Sequence, residues 1–418
     1  MGVIRADFGE FSARSYAQPV FDCVVRVSVI VAPEGILLIV HVANNRRRDQ
    51  NDGYADDQSS DYLADICPLR QSPGHPRVVA IIDIRLNIQL LAECYHEDLS
   101  MIIDTHTHVW SFPSYGDLSQ HIKTTEDLIA FRTRYPELYN CSLTEEPVDN
   151  SDALIADMDK NDVALTLVQA RPGYVTNDQV AQAAARHSDR LQAIARVGHD
   201  QEAAGYHDDP GPTREQAPEE IERCLTKLKM RGVGEIFIRS LTNEIHPERI
   251  AKDLDGLMEV VSKHGVPIQF PTAWSQFPGG LFYGDPLWVD EVALRHPKVP
   301  IILTKMGRSV GRYFDSAMTV AMRNVNIYFD VVGTNPQHLR SAIDKIGPHR
   351  IMFGTDWSAT WRWISVPTTL HKLRLKVLDD AKVTDDERRM ILWDNAVEVF
   401  KLGKEAEKAR SVFRRAAE

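Results

Sequence analysis

The sequence predicts an α/β protein, a (β/α)8 TIM barrel with an atypical N-terminal extension. Three observations carry this prediction. From Met101 onward, short apolar runs alternate with amphipathic segments of helical period. Eight such runs are present, and polar residues able to do chemistry stand just after several of them. Alternation of this kind argues for βα units on a parallel sheet, and one closed barrel typically spans about 250 residues or more. A doubly wound open sheet is the alternative, but no glycine-rich phosphate loop follows the first run.

The strand-like runs are Met101–Asp104, Val163–Val168, Leu191–Val197, Val233–Ile238, Pro267–Phe270, Pro300–Leu303, Val325–Val332 and Arg350–Phe353. The helices that precede the second to the eighth run are Ser151–Lys160, Asp178–His187, Glu219–Met230, Ile250–Lys263, Leu287–Arg295, Tyr313–Arg323 and Pro336–Lys345. Ser151 is placed to cap the first of these. Asp152 and the pair Glu219-Glu220 sit near helix starts, where the dipole favours negative charge. Gly265 after Lys263-His264 supplies a basic last turn and a glycine stop.

Residues 1–100 show no such alternation. Val24–Ala43 is apolar but broken by Arg26, Pro33, Glu34 and His41. It is therefore read as two short strands around Pro33-Glu34-Gly35, because a membrane span needs about 20 mostly uncharged residues. Asn44–Asp61 is strongly polar and reads as loop or disorder. The expected organisation is an N-terminal appendage over 1–100, a barrel over 101–402 and a C-terminal helical tail over 403–418. An accessory domain and a translation artefact upstream of the true start are equal alternatives for the appendage.

With 43% hydrophobic and 26% charged residues, the composition is that of an ordinary globular protein. A net charge of −11 repels phosphate backbones and argues against nucleic acid as the main partner. No membrane partner is expected. A small-molecule substrate is expected, and a homo-oligomer is left open. The five cysteines (Cys23, Cys67, Cys94, Cys141 and Cys224) are odd in number and none pairs at metal-ligand spacing. Free thiols in a reducing, cytoplasmic setting are the expectation.

In a barrel the residues that follow each strand converge on one mouth, where active sites are built. After the first run come His106 and His108. At i and i+2 on extended backbone, both imidazoles point to one side and can face one ion. After the eighth run comes Asp356, a carboxylate able to bind a metal or take a proton from water. Together they suggest a divalent-metal site. His-x-His alone is weak, since chance pairs of solvated histidines are common; its placement at the strand end gives it weight.

At these residues the chain resembles the amidohydrolase-related proteins. The resemblance lies in "MIIDTHTHVW" at Met101–Trp110, "RIMFGTDW" at Arg350–Trp357, "DDERRMILWDNAVEVFK" at Asp385–Lys401 and "YGDPLWVDEVALRHPKVPIIL" at Tyr283–Leu303. It covers nearly all of 101–402 and none of 1–100. It implies a metal-dependent hydrolase, decarboxylase, hydratase or lactonase, with His106, His108 and Asp356 at the metal.

Two departures alter that expectation. The family places a histidine after the fifth strand, where "PIQFPTA" puts Pro271, and another after the sixth, where "IILTKMG" puts Lys305. Proline has no side-chain ligand. His264 and His296 precede their strands and fall at the wrong end of the barrel. Glu235, within the fourth run, is a fourth ligand if it points inward and a half-buried surface carboxylate if it does not. Lys305 is a candidate proton donor or electrostatic clamp, as against a lysine reaching out to solvent. Arg171 and Arg239 are candidate carboxylate binders, with structural ion pairs as the alternative. His199, Trp274 and Trp357 complete the candidate substrate pocket.

The resulting expectation is an amidohydrolase-type enzyme hydrolysing or decarboxylating a small organic substrate, carboxylate-bearing or aromatic. Asp356 and Lys305 would be its catalytic residues. Its cofactor would be a divalent ion, zinc first, with manganese or iron as alternatives. A metal-free or ligand-binding barrel with Lys305 in place of the metal's charge, and a non-haem metal oxygenase using two histidines and a carboxylate, remain as competing readings.

Overall fold

The computed structural model describes residues 6–7, 22–32, 35–45, 101–110, 148–170, 175–197, 212–273, 280–357 and 370–417. Contacts divide the chain into two units, Met1–Glu93 and Cys94–Glu418. In the first, β1 (Ala6–Asp7), β2 (Asp22–Ala32) and β3 (Gly35–Asn45) form an antiparallel sheet in that order. β2 and β3 pair from Asp22↔Asn45 to Ala32↔Gly35. The expected strands around Pro33-Glu34-Gly35 are therefore present, and longer than expected. The polar stretch beyond Asn45 lies outside the described residues.

The second unit is a (β/α)8 barrel. Its strands are β4 (Ile102–His108), β5 (Val163–Gln169), β6 (Leu191–Ile194), β7 (Ile268–Pro271), β8 (Ile301–Thr304), β9 (Ile327–Asp330) and β10 (Ile351–Met352). They form two parallel sheets, β4-β5-β6 and β7-β8-β9-β10. Single parallel bridges join them, Ala195↔Val233 and Val233↔Ile268 at one seam and Thr107↔Trp357 at the other. Each position of β5 is buried. A parallel strand covered on both faces reads as a continuous apolar run, and "VALTLVQ" is one.

The fourth expected strand, Val233–Ile238, is the main correction. Only Val233 bridges its neighbours, and Ile238–Ser240 is a 3-10 turn. The physical reason is Gly234. Its φ is +142°, and a Cβ there would lie 2.4 Å from the Cβ of Gln269. The segment thus presses against β7 in a conformation closed to other residues, while Gly234 N–H still donates to the Ala195 carbonyl at 2.8 Å and Ile236 N–H to that of Gln269 at 3.0 Å. Gly234→Ala should destabilise the fold by about 3 kcal/mol or more, an overpacking cost compounded by a strained φ. Urea denaturation of the variant against wild type measures it.

The connecting helices are α1 (Ser151–Asp159), α2 (Asn177–Arg186), α3 (Ala217–Thr226), α4 (Pro247–His264), α5 (Val289–Arg295), α6 (Gly311–Arg323), α7 (Pro336–Ile346) and α8 (Leu370–Asp380). Gly265 ends α4 with left-handed φ and ψ of 58° and 41°, as expected. Ser151 is not the cap of α1. It is the first helical residue, and its own N–H donates to the Asp149 carboxylate at 2.9 Å. The tail folds as α9 (Gly403–Ala417), which buries Ala406 and Ala409 in a cluster with Leu165, Ile302, Met352 and Trp393. Of the five cysteines, Cys23 lies in β2, and the side chain described is that of Cys224. It is a buried free thiol, and burial, aided by Glu220, pushes its pKa up.

Candidate metal centre

β4 delivers two buried imidazoles. His106 and His108 share one side of the strand, and their ring centroids are 5.4 Å apart. His106 Nδ1 lies 2.7 Å from Asp330 Oδ2. If Nδ1–H is donated to this carboxylate, Nε2 is left with its lone pair exposed to the site, as in carboxylate–histidine–metal triads. That Nε2 is buried and has no hydrogen-bond partner. A buried polar atom without a partner is costly, and an ion is one way to satisfy it.

Two carboxylates face the imidazoles. Glu235 Oε2 and Asp356 Oδ1 each lie 3.7 Å from His106 Nε2, and Asp356 Oδ1 lies 3.2 Å from His108 Nε2. Donors about 2.0–2.1 Å from a tetrahedral ion stand about 3.3–3.4 Å apart, so these spacings suit one shared ion. His106, His108 and Glu235 each offer an atom within 4.8 Å of the others, a group that leaves Asp356 outside. The donor set of imidazole and carboxylate also fits a divalent metal chemically.

Lys305 occupies the opposite side of both carboxylates. It is 2% exposed, so it does not reach out to solvent. Its Nζ is 2.5 Å from Glu235 Oε1 and 3.7 Å from Asp356 Oδ2, and Thr304 Oγ1 also donates to Glu235 Oε1. Each carboxylate therefore gives one oxygen to the histidines and the other to Lys305. Burial alone would raise the Glu235 and Asp356 pKa values, but Lys305 and the histidines outweigh it and hold both groups well below the usual carboxylate range. For His106, burial and Lys305 push the pKa down, Glu235 and Asp330 push it up, and the net shift is upward.

The backbone holds these groups in place. Thr105 and His108 N–H donate to the Phe353 and Trp357 carbonyls at 3.0 and 2.7 Å, and Asp356 N–H donates to the His106 carbonyl at 2.9 Å. Asp356 itself has a φ of 60°. Beyond β8, Lys305, Met306, Gly307, Arg308 and Ser309 all have φ between 39° and 74°. At Gly307 a Cβ would meet Phe314 N at 2.4 Å. Left-handed backbone at non-glycine residues costs about 1–2 kcal/mol each, and such outliers gather at functional sites.

Two aspartates that the sequence reading passed over support the centre. Asp330, the last residue of β9, accepts from His106 Nδ1, from Lys305 N–H at 2.7 Å and from Val332 N–H at 3.1 Å. It stands at a strand end, where a barrel gathers the residues of its mouth. Asp104 accepts from the N–H groups of His106 and Thr355, both at 3.1 Å, and from Thr355 Oγ1 at 2.5 Å.

Pro271 ends β7, half-buried, opposite Thr304. Arg239 lies in the 3-10 turn Ile238–Ser240, where its charge acts on the Tyr283 hydroxyl. Trp357 is buried and its indole N–H donates to Asp157 Oδ2 at 2.9 Å, so the one hydrogen-bonding group of its side chain is engaged with α1. His264 and His296 pair with Glu222 and Asp255 at the outer helices. Arg171, His199 and Trp274 lie outside the described residues.

A family model described as amidohydrolase matches residues 103–402. The chain belongs to the amidohydrolase family. It is thus an enzyme of the metal-dependent hydrolase or decarboxylase type, acting on small molecules. No curated protein matches it. Solved structures similar to this amidohydrolase include a probable 2-pyrone-4,6-dicarboxylic acid hydrolase from Acinetobacter baumannii with citric acid bound, at 17% identity and a TM-score of 0.46, covering 72% of this chain and 99% of that one. A 4-oxalomesaconate hydratase from Rhodopseudomonas palustris matches at 15% identity and a TM-score of 0.48, over 75% and 100%. An amidohydrolase from Burkholderia multivorans with bound zinc matches at 16% identity and a TM-score of 0.46, over 72% and 99%. Among the described residues no helix is long and apolar enough to cross a membrane.

Proposed function

We propose that the centre holds one divalent ion, zinc in the first instance, between His106 Nε2, His108 Nε2, Glu235 Oε2 and Asp356 Oδ1, and serves to hydrolyse or decarboxylate a small organic acid or its ester-like derivative. The observation that carries this reading is the buried, unpartnered Nε2 of His106, aimed at two carboxylate oxygens and held from behind by Asp330. The ion would orient the substrate and lower the pKa of water, to about 7 in favourable zinc sites.

The chain's own groups then have separable tasks. Asp356, kept ionised by Lys305 and the histidines, is an acceptor for a proton across the neutral range. Lys305 offers three N–H donors; one engages Glu235 Oε1, and another can meet negative charge that develops on the substrate. Asp330 keeps His106 in one tautomer. Where the family pattern has an imidazole, Lys305 brings a cation that is paired with the Glu235 carboxylate.

The 2.5 Å contact between Lys305 and Glu235 favours a second reading, in which the lysine supplies the positive charge and no ion is held. Chelation separates the two. Treatment of the purified protein with a chelator should abolish turnover of carboxylic-acid or lactone substrates, and added zinc should restore it. Activity indifferent to both favours the metal-free barrel.

A further inference from the structure

Most arginines described in this chain sit on a partner. Arg223 bridges Asp178 and Glu220, Arg340 binds Glu387, and buried Arg350 is satisfied by backbone carbonyls. Arg374 and Arg308 are different. Among the described residues neither has a carboxylate within 4.0 Å or a hydrogen bond from its guanidinium, and Arg374 Nε is buried without a partner. Arg374 stands one turn beyond His371 on α8, and His371 Nε2 is 3.3 Å from Asp104 Oδ2. Arg308 belongs to the left-handed turn that starts at Lys305, and its stem packs over Gly333, three residues past β9. Both arginines thus spring from elements fastened to the metal centre.

We propose that Arg374 and Arg308 form a subsite for a carboxylate that the substrate carries apart from its reacting group. The charges that act on Arg374 are those of Asp356, Asp330, Arg308 and Asp104, and burial works against its own charge. The three aspartates are already engaged by His106, His108, Lys305 and Thr355. A buried guanidinium nitrogen with an idle donor, as at Arg374 Nε, is expensive, and a planar carboxylate meets the guanidinium fork with two parallel hydrogen bonds. This subsite rests on the proposed metal centre for its role, but not for its binding chemistry.

The test is calorimetric titration of the full chain, metal-free and zinc-loaded, with benzene-1,3-dicarboxylate and with inorganic phosphate, alongside elemental analysis. Wild type should bind the dicarboxylate more tightly than phosphate. Arg374→Met should weaken the dicarboxylate at least tenfold with metal content unchanged, and Arg308→Gln at least threefold. Unaltered affinity in folded Arg374→Met overturns the subsite. If that variant does not fold, unaltered affinity in both Arg374→Lys and Arg308→Gln overturns it. Tighter binding of phosphate, or no binding of the dicarboxylate by wild type, overturns it as well. A wild type that takes up no zinc, yet binds the dicarboxylate and loses it in the arginine variants, sinks the metal reading and supports the subsite.

Discussion

Lys305→Met should cost the metal-free protein about 3–5 kcal/mol of stability, because it strands two buried carboxylates whose shared cation it removes. Glu235 is 3% exposed, and one of its oxygens is held by Lys305 Nζ and Thr304 Oγ1. The pH dependence has a definite sign. Glu235 is held down to about 2 and Asp356 is also depressed. A depressed carboxylate contributes stability that is complete above its unfolded pKa, about 4, and is lost as pH falls through its folded value. In Lys305→Met the stranded carboxylates, raised by burial, take up protons at higher pH, so the gap between wild type and variant should be widest where both are ionised, begin to shrink above about pH 4 and close further towards about pH 2. Zinc should narrow it, since the ion would replace part of the missing positive charge. The double variant Lys305→Met/Glu235→Leu should recover much of the loss. Urea denaturation with and without zinc reads all of these. A Lys305→Met protein as stable as wild type without metal would show that the pair is not what balances the centre.

Asp356→Asn should lower kcat by about 10²–10⁴-fold, the usual worth of a positioned general base, while leaving the fold intact. The amide keeps an oxygen near His106 and His108 but loses the charge and the capacity to take a proton. The backbone lock of Asp356 N–H on the His106 carbonyl is untouched, and asparagine tolerates the left-handed φ of 60°. Steady-state kinetics with metal content measured on the same sample separates a lost base from a lost ligand. Full activity with full metal content would remove Asp356 from the chemistry.

The fold was legible because its strands are buried on both faces. "VALTLVQ" and "IILT" are continuous apolar runs, and the helices between them keep a clear period. The segment at Val233 was not legible as irregular. Its composition is that of a strand, and the close approach of Gly234 to Gln269 is a contact between residues far apart in sequence. That irregularity also hid the direction of Glu235, since alternation assigns a face only on regular extended backbone. Lys305 was recognised by its position, but its partner lies 70 residues away and no local pattern links them. Asp330 could have been found by the strand-end rule that found Asp356. Arg374 could not, because it sits on a helix beyond the last strand and reaches the centre only through folding.

Elemental analysis of the purified full chain, repeated on His106→Ala, tests the metal centre most directly. One divalent ion per chain in wild type, lost in a variant that remains folded by circular dichroism, is the expected result. A folded wild type without stoichiometric metal, or a His106→Ala variant that keeps its ion, would contradict the assignment.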